Sequence, residues 1–319
     1  EKAVEEVNTV LNDLALRHKD TLALGRTHGR GAEPMSFGVR ALSWYSEGLR
    51  TLDEFRHTAK YAARGRIAGT VGTFTVLPSE VEEIALAELG LEPEPVATQV
   101  IPRDRHATLL FSLAIIGTWL ERIALNIRLG QLEGLDELSE PFRKRQTGSS
   151  AMPHKKNPVI TERVCGLVRI LRSNVQAGLD NIALWHERDI SHSSVERVLL
   201  PDSFNLVHYL LLKMKKVLDG LIVNADNMKR ILDDTGGTFF AQRLLLALIK
   251  KGASREDAYK AVQKIAFRVK ETGESFDLLA RKSDDVSSRL DEGELNEVFD
   301  LSRYLEQIDV LYKRLGLTE

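Results

Sequence analysis

Apolar residues recur every three to four positions along most of this chain, in long stretches separated by short polar segments. Val4, Val7, Leu11 and Leu14 begin this spacing, and it continues through the apolar stretch 107–120. Such spacing places apolar side chains on one face of an α-helix. Only 22 glycines and 9 prolines interrupt the 319 residues, and no run alternates in the two-residue period of a strand. The sequence therefore predicts an all-α fold, a bundle of long helices.

A domain boundary is predicted where the sequence Asp-Asp-Thr-Gly-Gly occupies residues 233–237. Glycine pairs interrupt helices, and the helical segments beyond this point are shorter. One of them begins with Ser254 followed by Asp257 three positions later, which is typical of a helix N-terminus. We predict a long-helix domain over 1–234 and a small helical C-terminal domain over 235–319.

Composition excludes several classes of protein and site. The 44 Lys and Arg residues nearly balance the 46 Asp and Glu residues, so electrostatics favours neither a nucleic-acid nor an anionic-membrane partner. A single cysteine, Cys165, excludes an internal disulfide framework and any multi-thiolate metal site. The stretch 107–120 is shorter than the ~20 apolar residues of a membrane span. We expect a cytoplasmic protein without a metal or cofactor.

The start of the chain falls inside the helical pattern. Residue 1 is Glu rather than Met, and the apolar spacing is already established by Val4. We therefore expect the sequence to begin partway through a longer protein.

The first candidate segment is 25–37, Gly-Arg-Thr-His-Gly-Arg-Gly-Ala-Glu-Pro-Met-Ser-Phe, which the glycines predict to be a loop. His28 lies between small residues, which leave room for a ligand, and histidine ordinarily titrates near pH 6.5. His28 is therefore a candidate for proton transfer. The alternative is a connecting loop with an exposed histidine and solvated arginines.

The second candidate segment is 148–158, Gly-Ser-Ser-Ala-Met-Pro-His-Lys-Lys-Asn-Pro, directly before a predicted helix. Free backbone N–H groups at a helix start, together with Lys155 and Asn157, form a suitable site for a carboxylate or phosphate. The alternative is an ordinary loop in which Asn157 caps the helix.

A third candidate site combines two segments, 98–106 and 189–202. The first contains Gln99, Arg103, Arg105 and His106 close to a helix start. Their donors suit a phosphate or an amide, although Arg103, Asp104 and Arg105 are equally consistent with a local set of salt bridges. In the second segment Ser193 or Ser194 is equally consistent with a helix cap, followed by the solvated residues Glu196 and Arg197.

Together these segments resemble the fumarase/aspartase superfamily and, within it, the adenylosuccinate lyase family. Residues 148–158 match the superfamily pattern Gly-Ser-Ser-x-Met-Pro-x-Lys-x-Asn-Pro at every position. The segment starting at Gly25 is similar to the Thr-His segment of the superfamily, and its Gly29 and Ala-Glu-Pro are closer to adenylosuccinate lyases than to fumarases or argininosuccinate lyases. The segments 98–106 and 190–202 are also similar to those of this family. His154 points the same way, although the superfamily's carboxymuconate cycloisomerases share it.

This resemblance implies cleavage of a C–N bond with release of fumarate, from adenylosuccinate to give AMP and from a succinylated carboxamide ribotide of purine synthesis. Ser149 matches the general base and His28 the general acid of the family. The implied substrate contacts are Thr27, Gln99, Arg103, Ser150, Lys155, Asn157, Arg163, Ser194 and Arg197. No cofactor is implied.

The resemblance also implies a homotetramer whose active sites combine segments of different subunits. Family members carry an N-terminal domain ahead of the position of Glu1, so a polypeptide that began there is expected to fold but to turn over little substrate. Alternatives are another lyase or a carboxymuconate cycloisomerase of the superfamily, and a noncatalytic helical structural protein. Retention of His28, Ser149, Lys155 and Asn157 argues against the last.

Overall fold

A computed structural model describes residues 1–142, 152 and 155–317 of the chain. The described residues are mostly helical, which confirms the predicted all-α class. The helices are α1 (Lys2–Arg17), α2 (Phe37–Ala62), α3 (Ser79–Glu88), α4 (Asp104–Gly130), α5 (Val159–Asp180), α6 (Ser191–Asp219), α7 (Ala225–Asp233), α8 (Ala241–Lys250), α9 (Arg255–Thr272), α10 (Phe276–Arg281), α11 (Asp284–Ser287), α12 (Glu292–Val298) and α13 (Asp309–Lys313).

The strands are few and most are very short. They are β1 (Leu22–Thr27), β2 (Arg30–Ser36), β3 (Arg64–Gly65), β4 (Glu92–Pro93), β5 (Leu138–Ser139) and β6 (Ile222–Val223). Strands β1 and β2 form an antiparallel hairpin, and β3 pairs with β4 in parallel.

The prediction of a loop over 25–37 was wrong, because most of that segment belongs to the β1–β2 hairpin. His28 and Gly29 form its two-residue turn, with φ values of 52° and 72°. Two positive φ values match a type I′ turn, whose twist suits a hairpin. Glycine in this segment therefore serves a turn rather than a flexible loop, and the register shift between Leu24 and Arg26 obscures the strand period.

The described chain divides into two compact units. The bundle unit comprises Glu1–Asn12, Trp44–Gln131 and Leu138–Ile222. The hairpin unit comprises Asp13–Ser43, Leu132–Glu137 and Val223–Glu319. These units are defined by contacts between residues, whereas the boundary predicted after residue 234 separates parts of the chain that fold as domains. That boundary therefore stays a prediction.

Helix α4 lies at the centre of the bundle unit and packs against α5 and α6. Its Trp119 side chain is fully buried and donates a hydrogen bond to the carbonyl oxygen of Trp44 at 2.9 Å. Gly117 allows close approach, because a Cβ atom there would lie 2.6 Å from Leu171 on α5. The expectation that this region is too short for a membrane span was wrong by length and composition alone, because α4 as a whole is long and apolar enough to cross a membrane. Of its most apolar 18 residues, 56% are buried within the protein.

The core of the hairpin unit includes an apolar cluster from α8 to α12, with Leu244, Ile265 and Phe276 among its buried members. Ser254 caps α9 by accepting a hydrogen bond from the Asp257 amide at 3.0 Å, as its sequence pattern predicted. Capping residues of this kind contribute about 1 kcal/mol to a helix.

Candidate active site

His28 and Thr27 are exposed at the tip of the β1–β2 hairpin. Close to this tip, strand β1 is fixed by a two-pronged ion pair, in which Arg26 donates to the Glu137 carboxylate at 2.8 and 3.0 Å. Glu137 is 1% exposed, so its charge depends on this partner. Burial lowers the pKa of the nearby Arg40, and the charge of Glu137 partly offsets that effect. The ion pair thus holds the strand that ends at the candidate acid.

Gln99 is held on both its backbone and its side chain within the bundle unit. Arg188 donates from Nη1 to the Gln99 side-chain oxygen at 3.0 Å, and Arg66 donates to the Gln99 carbonyl oxygen. The hydroxyl of Thr98 donates to the carbonyl oxygen of Glu187 at 2.8 Å. The segment before α4 is therefore tied to the segment before α6. Arg188 was missed in the sequence, where nothing distinguished it from a solvated arginine.

Arg103 lies in a compact ionic cluster rather than on an open surface. Its Nη1 is 3.0 Å from Glu196 Oε2, and His106 Nδ1 is 3.1 Å from Glu196 Oε1. Burial alone would raise the pKa of Glu196, but the hydrogen bond with His106 and the charge of Arg103 outweigh it and lower that pKa below its ordinary value. The structure thus joins the arginine and histidine of one candidate segment to the glutamate of the other.

His192 is buried beside this cluster, with 3% of its surface exposed. Its Nδ1 makes no hydrogen bond to any described residue. Burial is the main cause that lowers the pKa of His192, and the charge of Arg103 acts in the same direction. His192 therefore favours its neutral form at the pH where an ordinary histidine titrates.

Ser194 and Arg197 lie exposed in the first two turns of α6. The alternative in which Ser193 or Ser194 caps a helix was wrong, because α6 already begins at Ser191. Asp189 stabilises this helix start by accepting hydrogen bonds from the amides of Ser191 and Trp185, both at 2.7 Å. A hydrogen bond from the Ser191 hydroxyl and these two amide bonds lower the pKa of Asp189 to about 2.

Ser149, Ser150 and His154 lie outside the described residues, whereas Lys155 and Asn157 lie within them. Lys155 is exposed and Asn157 is half-buried, directly before α5. Asn157 does not cap α5, whose preceding residue Pro158 makes no side-chain cap.

Instead, the buried carboxylate of Glu140 caps α5 by accepting hydrogen bonds from the free amides at its start. The amides of Ile160 and Thr161 donate to it at 3.2 and 2.7 Å. Gln131 connects this cap to the loop, because its side chain accepts from the Glu140 amide at 3.0 Å and donates to the Lys156 carbonyl at 2.9 Å. Farther along α5, the exposed Arg163 donates to the Tyr209 hydroxyl at 3.0 Å.

The structure thus brings four of the predicted contacts onto two tied segments of the bundle unit, namely Gln99, Arg103, Ser194 and Arg197. Lys155, Asn157 and Arg163 belong to the same unit, and Thr27 and His28 belong to the hairpin unit. Among the described residues no group of three or more His, Cys, Asp or Glu side chains is arranged to hold a metal ion.

Comparison with known proteins covers both parts of the chain. Residues 1–171 match the lyase family, and residues 237–315 match the adenylosuccinate lyase C-terminal family. The adenylosuccinate lyase of Thermotoga maritima is 46% identical over 313 residues, which are 98% of this chain and 73% of that protein. The chain belongs to the adenylosuccinate lyase family. The enzyme of the same name from Aquifex aeolicus is 42% identical, over 98% of this chain and 72% of its own.

Solved structures of the wider superfamily share the fold. A fumarate lyase from Mesorhizobium sp. BNC1 superimposes with a TM-score of 0.88 at 26% identity, covering 99% of this chain and 71% of that one. A 3-carboxy-cis,cis-muconate lactonizing enzyme from Pseudomonas putida gives 0.87 at 25% identity, covering 98% and 70%. The predicted resemblance to the adenylosuccinate lyase family and its superfamily is confirmed.

Proposed function

We propose that this protein is an adenylosuccinate lyase, a carbon–nitrogen lyase that eliminates fumarate from adenylosuccinate and from the succinylated carboxamide ribotide of purine synthesis. The observation that carries this function is 42–46% identity to adenylosuccinate lyases over 98% of the chain. The two family matches agree with it.

The chemistry requires removal of a proton from the carbon beside a carboxylate. This step places additional negative charge on that carboxylate, so preorganised cationic and amide donors there lower the barrier. Lys155 and Asn157 are proposed for this role, and the cap formed by Glu140 and Gln131 fixes the backbone on which they lie. Ser149 is proposed as the base, activated by neighbouring positive charge and the exclusion of water.

His28 is proposed as the acid that protonates the departing purine nitrogen. An exposed imidazole at a hairpin tip is accessible to a ligand, and the Arg26–Glu137 pair limits motion of the strand that carries it. Histidine suits this role because its ordinary pKa lies near neutral pH.

The remaining proposed contacts are polar groups that suit a phosphorylated, doubly carboxylated substrate. Gln99 offers an amide, and the exposed guanidinium of Arg197 suits a phosphate or a carboxylate. Thr27, Ser150, Arg163 and Ser194 are proposed to complete the set. Arg103 is proposed as a contact as well, although one of its terminal nitrogens is already engaged by Glu196.

The substrate assignment is tested by assaying fumarate release from adenylosuccinate and argininosuccinate beside turnover of carboxymuconate. We expect adenylosuccinate to be turned over at least about a hundredfold faster than either alternative, because polar groups placed for the absent purine nucleotide would be left unpaired. Faster turnover of carboxymuconate would instead favour a cycloisomerase, the class of the Pseudomonas putida structure.

A homotetramer with shared active sites is proposed for this chain. The packed helices α4, α5 and α6 keep large apolar side chains exposed, namely Phe111, Leu125, Leu129, Ile170, Val198, Phe204 and Leu212. Exposed apolar surface on a helix bundle is typical of a subunit interface. We also propose a cytoplasmic location, a division into two domains at residue 234, and the absence of a cofactor, a nucleic-acid partner and a membrane partner.

Shared active sites predict complementation between two inactive variants. Ser149→Ala and His28→Gln proteins are dissociated, mixed in equal amounts and reassembled. If different subunits supply Ser149 and His28 to each site, random assembly places both intact side chains in about a quarter of the sites. We therefore expect activity to rise to about a quarter of that of the unsubstituted protein. Sedimentation showing one chain per particle, or a mixture no more active than its components, would contradict this proposal.

A further inference from the structure

We infer that Glu196 is a positioning residue for substrate binding, and this inference rests on the proposed function. It holds the segment 98–106 against the start of α6, so that Gln99 on one side and Ser194 and Arg197 on the other keep the spacing required by one ligand. Neither the family pattern nor the sequence spacing singled out this glutamate.

The ionic cluster supplies the first tether between the two segments. Glu196 Oε2 lies 3.0 Å from Arg103 Nη1, and Glu196 Oε1 lies 3.1 Å from His106 Nδ1. One carboxylate on α6 therefore contacts two side chains at the start of α4. The Glu196 and Arg103 side chains are only 13% and 9% exposed. Charge pairs with so little exposure are screened weakly by salt and fix geometry more firmly than surface pairs.

The second tether consists of the hydrogen bonds from Thr98 to Glu187 and from Arg188 to Gln99, at 2.8 and 3.0 Å. These groups are more exposed than the ionic cluster, so water competes for their hydrogen bonds. The better-protected tether is therefore the one made by Glu196. Gln99 lies four residues before Arg103, which places the anchor close to the group that it positions.

Glu196 is poorly suited to contact the substrate itself. A carboxylate accepts hydrogen bonds but donates none when ionised, and it would repel a phosphate or a succinyl carboxylate. Its oxygens already face Arg103 and His106. Removing its charge leaves Arg103 without its ionic partner in a nearly buried position, beside the buried His192. The cluster would then rearrange, and the spacing of the ligand groups would change.

The test compares Glu196→Gln with Glu121→Gln. Glu121 is a suitable control because its carboxylate pairs with Arg172 between α4 and α5, is similarly buried at 17% exposure, and lies away from both segments. For Glu196→Gln we expect KM for adenylosuccinate to rise at least tenfold while kcat changes less than threefold, because Gln99, Ser194 and Arg197 are proposed to bind substrate and transition state alike. Glu196→Asp, which keeps the charge, should recover part of the loss. Glu121→Gln should leave both constants unchanged.

Hydrogen exchange of the unliganded proteins provides a readout that does not depend on activity. Amides of residues 98–106 and 187–197 should exchange faster in Glu196→Gln than in the unsubstituted protein and in Glu121→Gln. Unchanged exchange in these segments, or an unchanged KM, would overturn the role of Glu196. If the exchange difference is present but the unsubstituted protein itself releases no fumarate from adenylosuccinate, the proposed function is refuted and the tether still stands.

Discussion

Replacing Ser149 by alanine is expected to lower the rate of fumarate release from adenylosuccinate by about a hundredfold or more. The proposed base is then absent, and loss of a positioned proton-transfer group costs roughly 10²–10⁴ in rate. The loss should appear in kcat, because Lys155 and Asn157 still bind the substrate carboxylate. A direct fumarate assay at saturating substrate, with substrate binding followed separately by calorimetry, measures both quantities.

A matched control for this variant is Ser173→Ala. Ser173 is an exposed helical serine whose hydroxyl donates to the carbonyl oxygen of Ile170 in its own helix, and its loss should leave the rate unchanged. His28→Gln should lower the rate by a similar factor, and the double variant should lose little more, since residues that act as a unit are not additive. Retention of more than about a tenth of the rate by Ser149→Ala would refute its role as the base.

Replacing Glu137 by glutamine is expected to lower the free energy of unfolding by about 3 kcal/mol. Removing one partner of a buried ion pair leaves the other charge uncompensated, which typically costs about 3–5 kcal/mol. Arg26 is 24% exposed, so water relieves part of that cost, but the nearby cationic Arg40 adds to it. Chemical denaturation followed by circular dichroism measures the loss, and amides of β1 and β2 should also exchange faster.

The control for Glu137 is Glu256→Gln, which removes the exposed partner of Lys260 on α9. An exposed pair of this spacing contributes about 0.3–0.5 kcal/mol, so the loss should be within that range. Replacing both Arg26 and Glu137 by methionine should recover much of the stability, because no buried charge is then left unpaired. A loss below about 1 kcal/mol for Glu137→Gln would show that the hairpin does not depend on this pair.

The sequence predicted contacts within a helix better than contacts between distant segments. Ser254 caps α9 as its pattern indicated, because capping depends on residues three positions apart. The alternative in which Asn157 caps α5 was wrong, because Glu140, about twenty residues earlier in the chain, supplies that cap. Local pattern cannot identify a partner so distant, since that contact exists only after the helices have packed.

The amino-acid order alone determined the helical class, the three candidate segments and the chemistry that they offer, because helical spacing and motif composition are local properties. Tertiary structure decided which groups are engaged with one another. It placed His28 on a hairpin turn, paired Arg103 with Glu196, and hydrogen-bonded Arg188 to Gln99. The two side-chain contacts join residues about ninety positions apart, and the hairpin has a strand register that a shift obscures in the sequence. Packing rather than local preference fixes such features.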